Sequence, residues 1–320
     1  MKFKIITLLS LVLFTHASAE KKPNVLFFLV DDMGTQDTSL PFYYQGDKPV
    51  ITENNKLFRT PNMEKLANNG RLFTNAYAYS VCSPTRVTLL TGQAAPRHRV
   101  TTWTHPKSSK IDPGAIRTDK LTGPKWNTLG VPKRTPLLTT ALKRNGYKTI
   151  FAGKAHFGPD DTSNGNPLNL DFDVNIAGFG GGGPGGYQGK TNFSAAWRGG
   201  GNDWDIPGLS KYHGTDTFLT EALTLEMASE IEKSVKEQKP FFAYMSHYAV
   251  HVPFETDARF AENYPNLKGQ QLAFATLVEG MDKSLGDLVS KLEQLGVAED
   301  TLIVFYSDNG SAGPIANKPL

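Results

Sequence analysis

Apolar residues in this chain come in two arrangements: short unbroken runs, and longer stretches in which they recur every three or four positions. Asn24-Val25-Leu26-Phe27-Phe28-Leu29-Val30 is an unbroken run that stops abruptly at Asp31-Asp32. Apolarity without alternation predicts a strand buried on both faces of a parallel sheet. Phe241 to Met245 and Thr301 to Tyr306 repeat the pattern, the second ending in Ser307-Asp308-Asn309-Gly310, and Lys148 to Ala152 is a shorter example. Helical stretches lie between these runs. Thr60-Pro61 to Ala67, closed by Gly70, offers a capping Thr, a Pro at the first helical position and a terminal Gly, and Thr135-Pro136 to Asn145-Gly146 repeats that grammar. Thr215 to about Lys236, and about Gln270 to Gly296, carry apolar positions at helical spacing, with Pro240 ending the first. Strand and helix in alternation predict an α/β fold with a largely parallel central sheet flanked by helices.

Two stretches break the alternation. Gln93 to Lys133 and Phe157 to Tyr212 are too long for ordinary connections and are candidate substrate-facing insertions. The second contains Gly178-Phe179-Gly180-Gly181-Gly182-Gly183-Pro184-Gly185-Gly186, read as a flexible or tightly turning loop. Met1-Lys2-Phe3-Lys4, the apolar Ile5 to Phe14 and Ala17-Ser18-Ala19 have the three parts of a secretory signal peptide, so residues 1–19 are a predicted leader and 20–320 the mature domain. An exported protein, periplasmic or secreted, with no stable membrane anchor follows. The formal charge of +3 includes leader lysines, and no basic block interleaved with aromatics argues for nucleic acid.

Candidate chemistry gathers where strands end, because the functional crevice of an open parallel sheet lies at the C-terminal edges of its strands. Asp31 and Asp32 end the first strand, and Asp308 and Asn309 end the last. Together they could hold one hard divalent cation, Ca²⁺ or Mg²⁺; separately, each pair could simply cap a turn. Lys154 and His156 follow the strand ending near Ala152, and His247 and His251 follow the strand Phe241 to Met245. The His247–His251 spacing lacks the Glu of a zinc protease helix. Pro184 to Thr191 misses a phosphate-binding P-loop, having Pro184 for its first Gly and no preceding strand. The sole cysteine, Cys82, lies in Cys82-Ser83-Pro84-Thr85-Arg86, with Gly92 closing the following apolar turn. Pro84 suits a first helical position, which puts Cys82 at a helix N-terminus facing an anion. A catalytic thiol and a buried small apolar residue both remain open on these grounds.

Cys82-Ser83-Pro84-Thr85-Arg86 followed by Leu90-Thr91-Gly92 resembles the signature of the type I sulfatases, in which Cys is oxidised to formylglycine. Asn24-Val25-Leu26 with Asp31-Asp32, Gly153-Lys154-Ala155-His156, His251-Val252-Pro253 and Ser307-Asp308-Asn309-Gly310 extend the resemblance in the family's order. It implies an alkaline-phosphatase-like α/β sandwich and hydrolysis of sulfate esters. It also implies Asp31, Asp32, Asp308 and Asn309 as ligands of Ca²⁺, completed by the modified Cys82. Arg86 and the metal would hold the aldehyde hydrate of residue 82, and one hydrate oxygen would attack sulfur. Lys154 would neutralise sulfate, His251 protonate the leaving alcohol with His247 in reserve, and His156 take the proton that releases sulfate. The implied partners are a sulfated carbohydrate and a formylglycine-generating or equivalent maturation enzyme.

Two departures accompany the resemblance. Ala155 stands where the family often has Trp, which would reshape the pocket wall. The chain also stops at Leu320, where the family continues into a glycine-rich segment with a second sulfate-binding Lys and a smaller C-terminal domain. An N-terminal piece of a longer protein is the expectation. The competing functions are a phosphodiesterase or phosphonate hydrolase of the same fold and an inactive anion-binding remnant.

Overall fold

The computed structural model describes residues 21–110 and 126–317, so the leader read at 1–19 lies outside the described residues. Seven described strands include a five-stranded, wholly parallel sheet. Its members are β1 (Asn24–Val30), β4 (Lys148–Gly153), β5 (Val174–Ile176), β6 (Phe241–Ser246) and β7 (Thr301–Ser307), in the order β5-β4-β6-β1-β7. β2 (Tyr44–Gln45) and β3 (Lys48–Pro49) make a separate exposed hairpin. The four apolar runs therefore form the four longest strands. β5 is an edge strand of three residues interrupted by Asn175, too short to register as a run.

Unbroken apolarity has its cause in two cores, one on each face of the sheet. Leu26, Phe28 and Val30 of β1 and Phe241, Ala243 and Met245 of β6 pack on one face against α6 (Leu219–Lys236) and α7 (Gly269–Gln294). Leu29, Phe151, Phe242 and Tyr244 pack on the other, with Val87 and Leu90 of α3 (Cys82–Thr91) and Leu142 of α5 (Leu138–Arg144). Successive strand residues point to opposite faces, so each strand must be apolar throughout to serve both.

Helix boundaries differ from the sequence grammar where tertiary contacts outweigh it. α2 (Pro61–Asn68) has Pro61 as expected, but Thr60 makes no capping bond. Its hydroxyl receives the amide of Ser39, 2.9 Å away, while the amides of Asn62 and Met63 are capped by Asp282 of α7 at 3.1 and 2.8 Å. α5 begins at Leu138 rather than beside Pro136, and α6 begins at Leu219 rather than Thr215. In α3 the first residue is Cys82, with Pro84 two positions further in. Proline is tolerated there because first-turn amides have no intrahelical acceptor.

Candidate active site

Strand pairing continues one residue past the sheet and holds the site. The Asp31 amide donates to Ala249 O at 2.9 Å, Asp308 N to Val30 O at 3.1 Å, and Lys154 N to Ser246 O at 2.8 Å. Asp31 and Asp32 would point to opposite faces in a regular strand. Asp32 instead adopts φ 59°, in the left-handed region, and both carboxylates reach one centre. Gly153 turns at φ 96°, where a Cβ would lie 1.8 Å from Ser246 O, and so delivers Lys154 inward. A ligand atom from each of Asp31, Asp32, Cys82 and Asp308 lies within 4.8 Å of the others, and all four residues are buried.

Two buried cations brace these carboxylates. Lys154 Nζ donates to both oxygens of Asp31, at 2.8 and 2.6 Å. Arg86, on α3, donates from Nε to Asp308 Oδ2 at 2.8 Å and from Nη1 to Lys154 O and Ser246 Oγ, each at 2.7 Å. Its Nη2 lies 3.6 Å from Asp31 Oδ1 without a hydrogen bond. Burial works to lower the Lys154 ammonium, but Asp31, Cys82 and Asp308 together hold its pKa above the usual lysine range. Burial likewise opposes ionisation of Asp308, and Arg86 and Lys154 hold its carboxyl below the usual range. Asp31 is pushed well up by burial, against the pull of Lys154 and with the added repulsion of Asp308 and Asp32.

Three carboxylates against two cations leave negative charge unbalanced. Asn309 donates from Nδ2 to Asp32 Oδ1, while its Oδ1 is buried without a donor. Oxygen donors of this number and charge fit a hard divalent cation such as Ca²⁺ or Mg²⁺. Cys82 does not have the surroundings of a reactive thiolate. Burial pushes its thiol pKa well up, with Lys154 pulling it down and the three carboxyl groups adding to the rise.

Both expected histidines line this centre. His156 Nε2 donates to Thr104 O at 2.7 Å, which leaves Nδ1 bare and unpartnered. Burial, then Lys154, hold it neutral, well below the usual imidazole pKa. His251 Nδ1 donates to Val252 O at 2.8 Å, and Nε2 lies 3.6 Å from Asp32 Oδ2. Burial and Lys154 depress it to about 4. His247 is elsewhere: one residue beyond Ser246, it turns to the opposite face, bonds Ser284 Oγ at 2.8 Å and packs on Phe28. Burial alone lowers it to about 3, so it is a core histidine.

Three features escaped the sequence reading. Ser246 joins Arg86 to the Lys154 carbonyl, donating to that carbonyl at 2.7 Å. Ser83 accepts the Thr104 amide at 3.1 Å and thereby fixes the carbonyl that orients His156. The glycine-rich run, expected to be a flexible or tightly turning loop, is a buried wall with repeated bends. A Cβ on Gly182 would lie 2.6 Å from the His156 ring, and one on Gly183 would lie 2.7 Å from that of His251. Polar neighbours of a strand end and a Gly run in contact with two imidazoles leave no periodic signal; only the nearness of the Gly run to His156 in sequence hinted at it.

Comparison with known proteins bears on the whole of this arrangement. The sulfatase family model matches residues 23–317. A sulfatase of Formosa agariphila is 27% identical over 96% of this chain and 61% of the relative. Mouse N-acetylgalactosamine-6-sulfatase is 30% identical over 97% of this chain and 54% of its own. Among structures, Ps i-CgsB superposes with a TM-score of 0.71 at 27% identity, covering 93% of this chain and 61% of that one. Its complex with k-i-k-neocarrahexaose gives 0.70 at 26% identity, with the same coverage. The chain thus spans little more than half the length of these relatives, and its sheet and helices are the alkaline-phosphatase-like sandwich that the resemblance implied. With the match running from one end of the sheet to the other, the chain belongs to the sulfatase family.

Proposed function

We propose that this chain carries the catalytic domain of an exported sulfatase that hydrolyses sulfate esters on carbohydrate. The observation that carries the reading is the convergence of Asp31, Asp32, Cys82 and Asp308 within 4.8 Å, braced by buried Arg86 and Lys154. Asp31, Asp32, Asp308 and Asn309 would hold Ca²⁺, which supplies positive charge to polarise a sulfate oxygen. Formylglycine made from Cys82 would supply the oxygen nucleophile that the buried neutral thiol does not.

The chain's own side chains then divide the work. Lys154 and the unbonded Nη2 of Arg86 present fixed positive charge where negative charge gathers on the sulfuryl oxygens. Lys154 must share its contact with Asp31 to do so. His156, with its proton on Nε2 and a bare Nδ1, has the tautomer of a general base. His251 presents Nε2 beside Asp32 and would protonate the leaving alcohol from its doubly protonated form, because Nδ1 carries the single proton of the neutral ring. Its resting pKa is low, and an arriving anionic ester raises it by offsetting Lys154. Export is part of the proposal and is supported by the leader-like sequence at 1–19; among the described residues no helix is long and apolar enough to cross a membrane.

The deciding measurement is mass spectrometry of the tryptic peptide Leu72 to Arg86 from protein co-produced with a formylglycine-generating enzyme. An aldehyde at residue 82 is expected, followed by Ca²⁺-dependent sulfate release. The substrate panel comprises N-acetylgalactosamine 6-sulfate and neocarrahexaose, taken from what the relatives' names state. An intact thiol, with a control sulfatase modified in parallel, rejects the mechanism; faster turnover of phosphonate esters assigns the phosphoryl-transfer alternative.

A further inference from the structure

The candidate cation ligands arrive on two segments. Asp31 and Asp32 follow β1, and Asp308 and Asn309 follow its neighbour β7. Asp32 turns inward at φ 59°, a conformation open to Asp more than to most side chains, yet one that persists only when neighbours hold it. The β7 segment supplies the hold. The Asp32 amide donates to Asp308 Oδ1 at 3.3 Å, the Met33 amide to Ser307 Oγ at 3.2 Å, and the Ala312 amide to Asp32 O at 3.4 Å. These distances lie at or beyond the long end of the ordinary range, so the turn depends on the two segments staying together.

A clasp farther along both segments keeps them together. Asp37 is fully buried; its Oδ2 accepts the Gly34 amide at 2.8 Å and its Oδ1 accepts Asn317 Nδ2 at 2.8 Å. Asn317 Oδ1 in turn accepts the Gln36 amide at 2.9 Å, so one carboxamide grips two residues of the first segment. Ser311 adds a further donor to the Asp37 carboxylate. Gly34 lets the segments meet, since a Cβ there would lie 2.7 Å from both Asn317 Oδ1 and Ser311 Cβ. Asn54 Nδ2 donates to Ala316 O at 3.1 Å and fastens the second segment from its other side.

Asp37 is a costly group to use as a joint. Burial pushes its carboxyl pKa up, and the donors that pull it back, Ser311, Asn317 and the Gly34 amide, are neutral. The donors themselves require it, because of the short side chains only a carboxylate accepts at both ends. Its position supplies the benefit. Asp37 lies five residues after Asp32 and Asn317 eight after Asn309, so their contact closes the two ligand segments into one frame.

We propose that Asp37 and Asn317 are positioning residues for the divalent cation, their clasp holding Asp32 and the Asp308-Asn309 segment at binding distance before the ion arrives. The assignment rests on the calcium centre of the sulfatase reading above. Carboxylates gathered without an ion repel one another, and a frame that resists the repulsion raises affinity through preorganisation.

The test titrates Ca²⁺ alone, by calorimetry, into matured full-length protein stripped of metal. The variants are Asp37→Asn, Asn317→Ala, and the exchange that combines Asp37→Asn with Asn317→Asp. Asp37→Asn sets a donor against a donor, at Asn317, at Gly34 or at Gln36 according to how the two amides turn. The exchange restores a donor facing an acceptor at all three places. Each single variant is expected to weaken Ca²⁺ binding about 10- to 100-fold, and the exchange to recover most of the loss. Unchanged Ca²⁺ affinity in both single variants, even with lower thermal stability of the metal-free protein, makes the clasp a structural joint and overturns the proposal. A loss that the exchange does not recover overturns it too. Should the single variants not fold, Ser311→Ala removes one donor to Asp37 and leaves the other two. Ca²⁺ binding several-fold weaker is then expected, and unchanged binding overturns the clasp. Affinity that follows the clasp, with no sulfate released from any ester, keeps the proposal and rejects the sulfatase reading. Ca²⁺-dependent sulfate release with equal Ca²⁺ affinity in all variants does the reverse, and an unaltered protein that binds no Ca²⁺ overturns the clasp.

Discussion

Asp31, Lys154 and Asp308 each sit one residue beyond a strand of the parallel sheet, whereas Gly182 and Gly183 sit in a stretch between β5 and α6 that contains only short 3₁₀ turns. The first group is placed by backbone bonds that prolong strand pairing. The second is placed by what it touches, two imidazole rings at distances that leave no room for a Cβ. The contrast separates two requirements of one site. Charged groups whose spacing determines chemistry need a scaffold fixed independently of them, because small displacements change catalysis greatly. A wall that shapes the space beside them needs only the absence of side chains.

The largest test of this contrast removes Arg86. Arg86→Ala leaves Asp308 and Asp31 buried with less compensation, and a stability loss of about 3–5 kcal/mol is expected in denaturant unfolding. A loss under about 1 kcal/mol would show that the strand-end centre does not depend on its buried pairs. Next is the histidine on the far face of the same strand end. His247 is depressed by burial to about 3, so the unfolded chain binds its proton first as pH falls below about 6.5. Stability contributed by this group is present above pH 6.5 and is lost as pH falls from there towards 3. Between pH 7.5 and 5 the loss is about 2 kcal/mol, and His247→Gln is expected to flatten that part of the curve.

Smaller effects probe the wall. Gly182→Ala pushes a methyl into the buried His156 ring and is expected to lower kcat of the matured protein about tenfold and to cost about 1 kcal/mol in unfolding. Unaltered turnover would mean that the wall yields. Gly201→Ala is the control from the same region: nothing lies within 4 Å of its Cβ position, so activity should hold and stability should stay within about 0.5 kcal/mol.

The sheet was legible because burial on both faces demands apolar residues at successive positions, and that demand is written locally along β1, β4 and β6, while the edge strand β7 carries an apolar run without being fully buried. The candidate centre was legible for a related reason, since its charged residues must follow those strands immediately. The family signature in Cys82 to Gly92 added the chemistry that periodicity cannot supply. Where helices begin was less legible: Thr60 reads as a cap, yet Asp282, more than two hundred residues away, bonds the first amides of α2.

By itself, then, the sequence determined the four longer strands of the sheet, their order of appearance and the residues at their ends, because each depends on neighbours along the chain. Tertiary structure alone decided that His251 and not His247 faces the carboxylates. It also decided that Ser83 orients His156 through Thr104, and that a glycine run is a buried wall leading from His251 to Trp197. These depend on which face a side chain takes and on contacts between distant segments, and such contacts cost the sequence no repeating pattern by which they could be read.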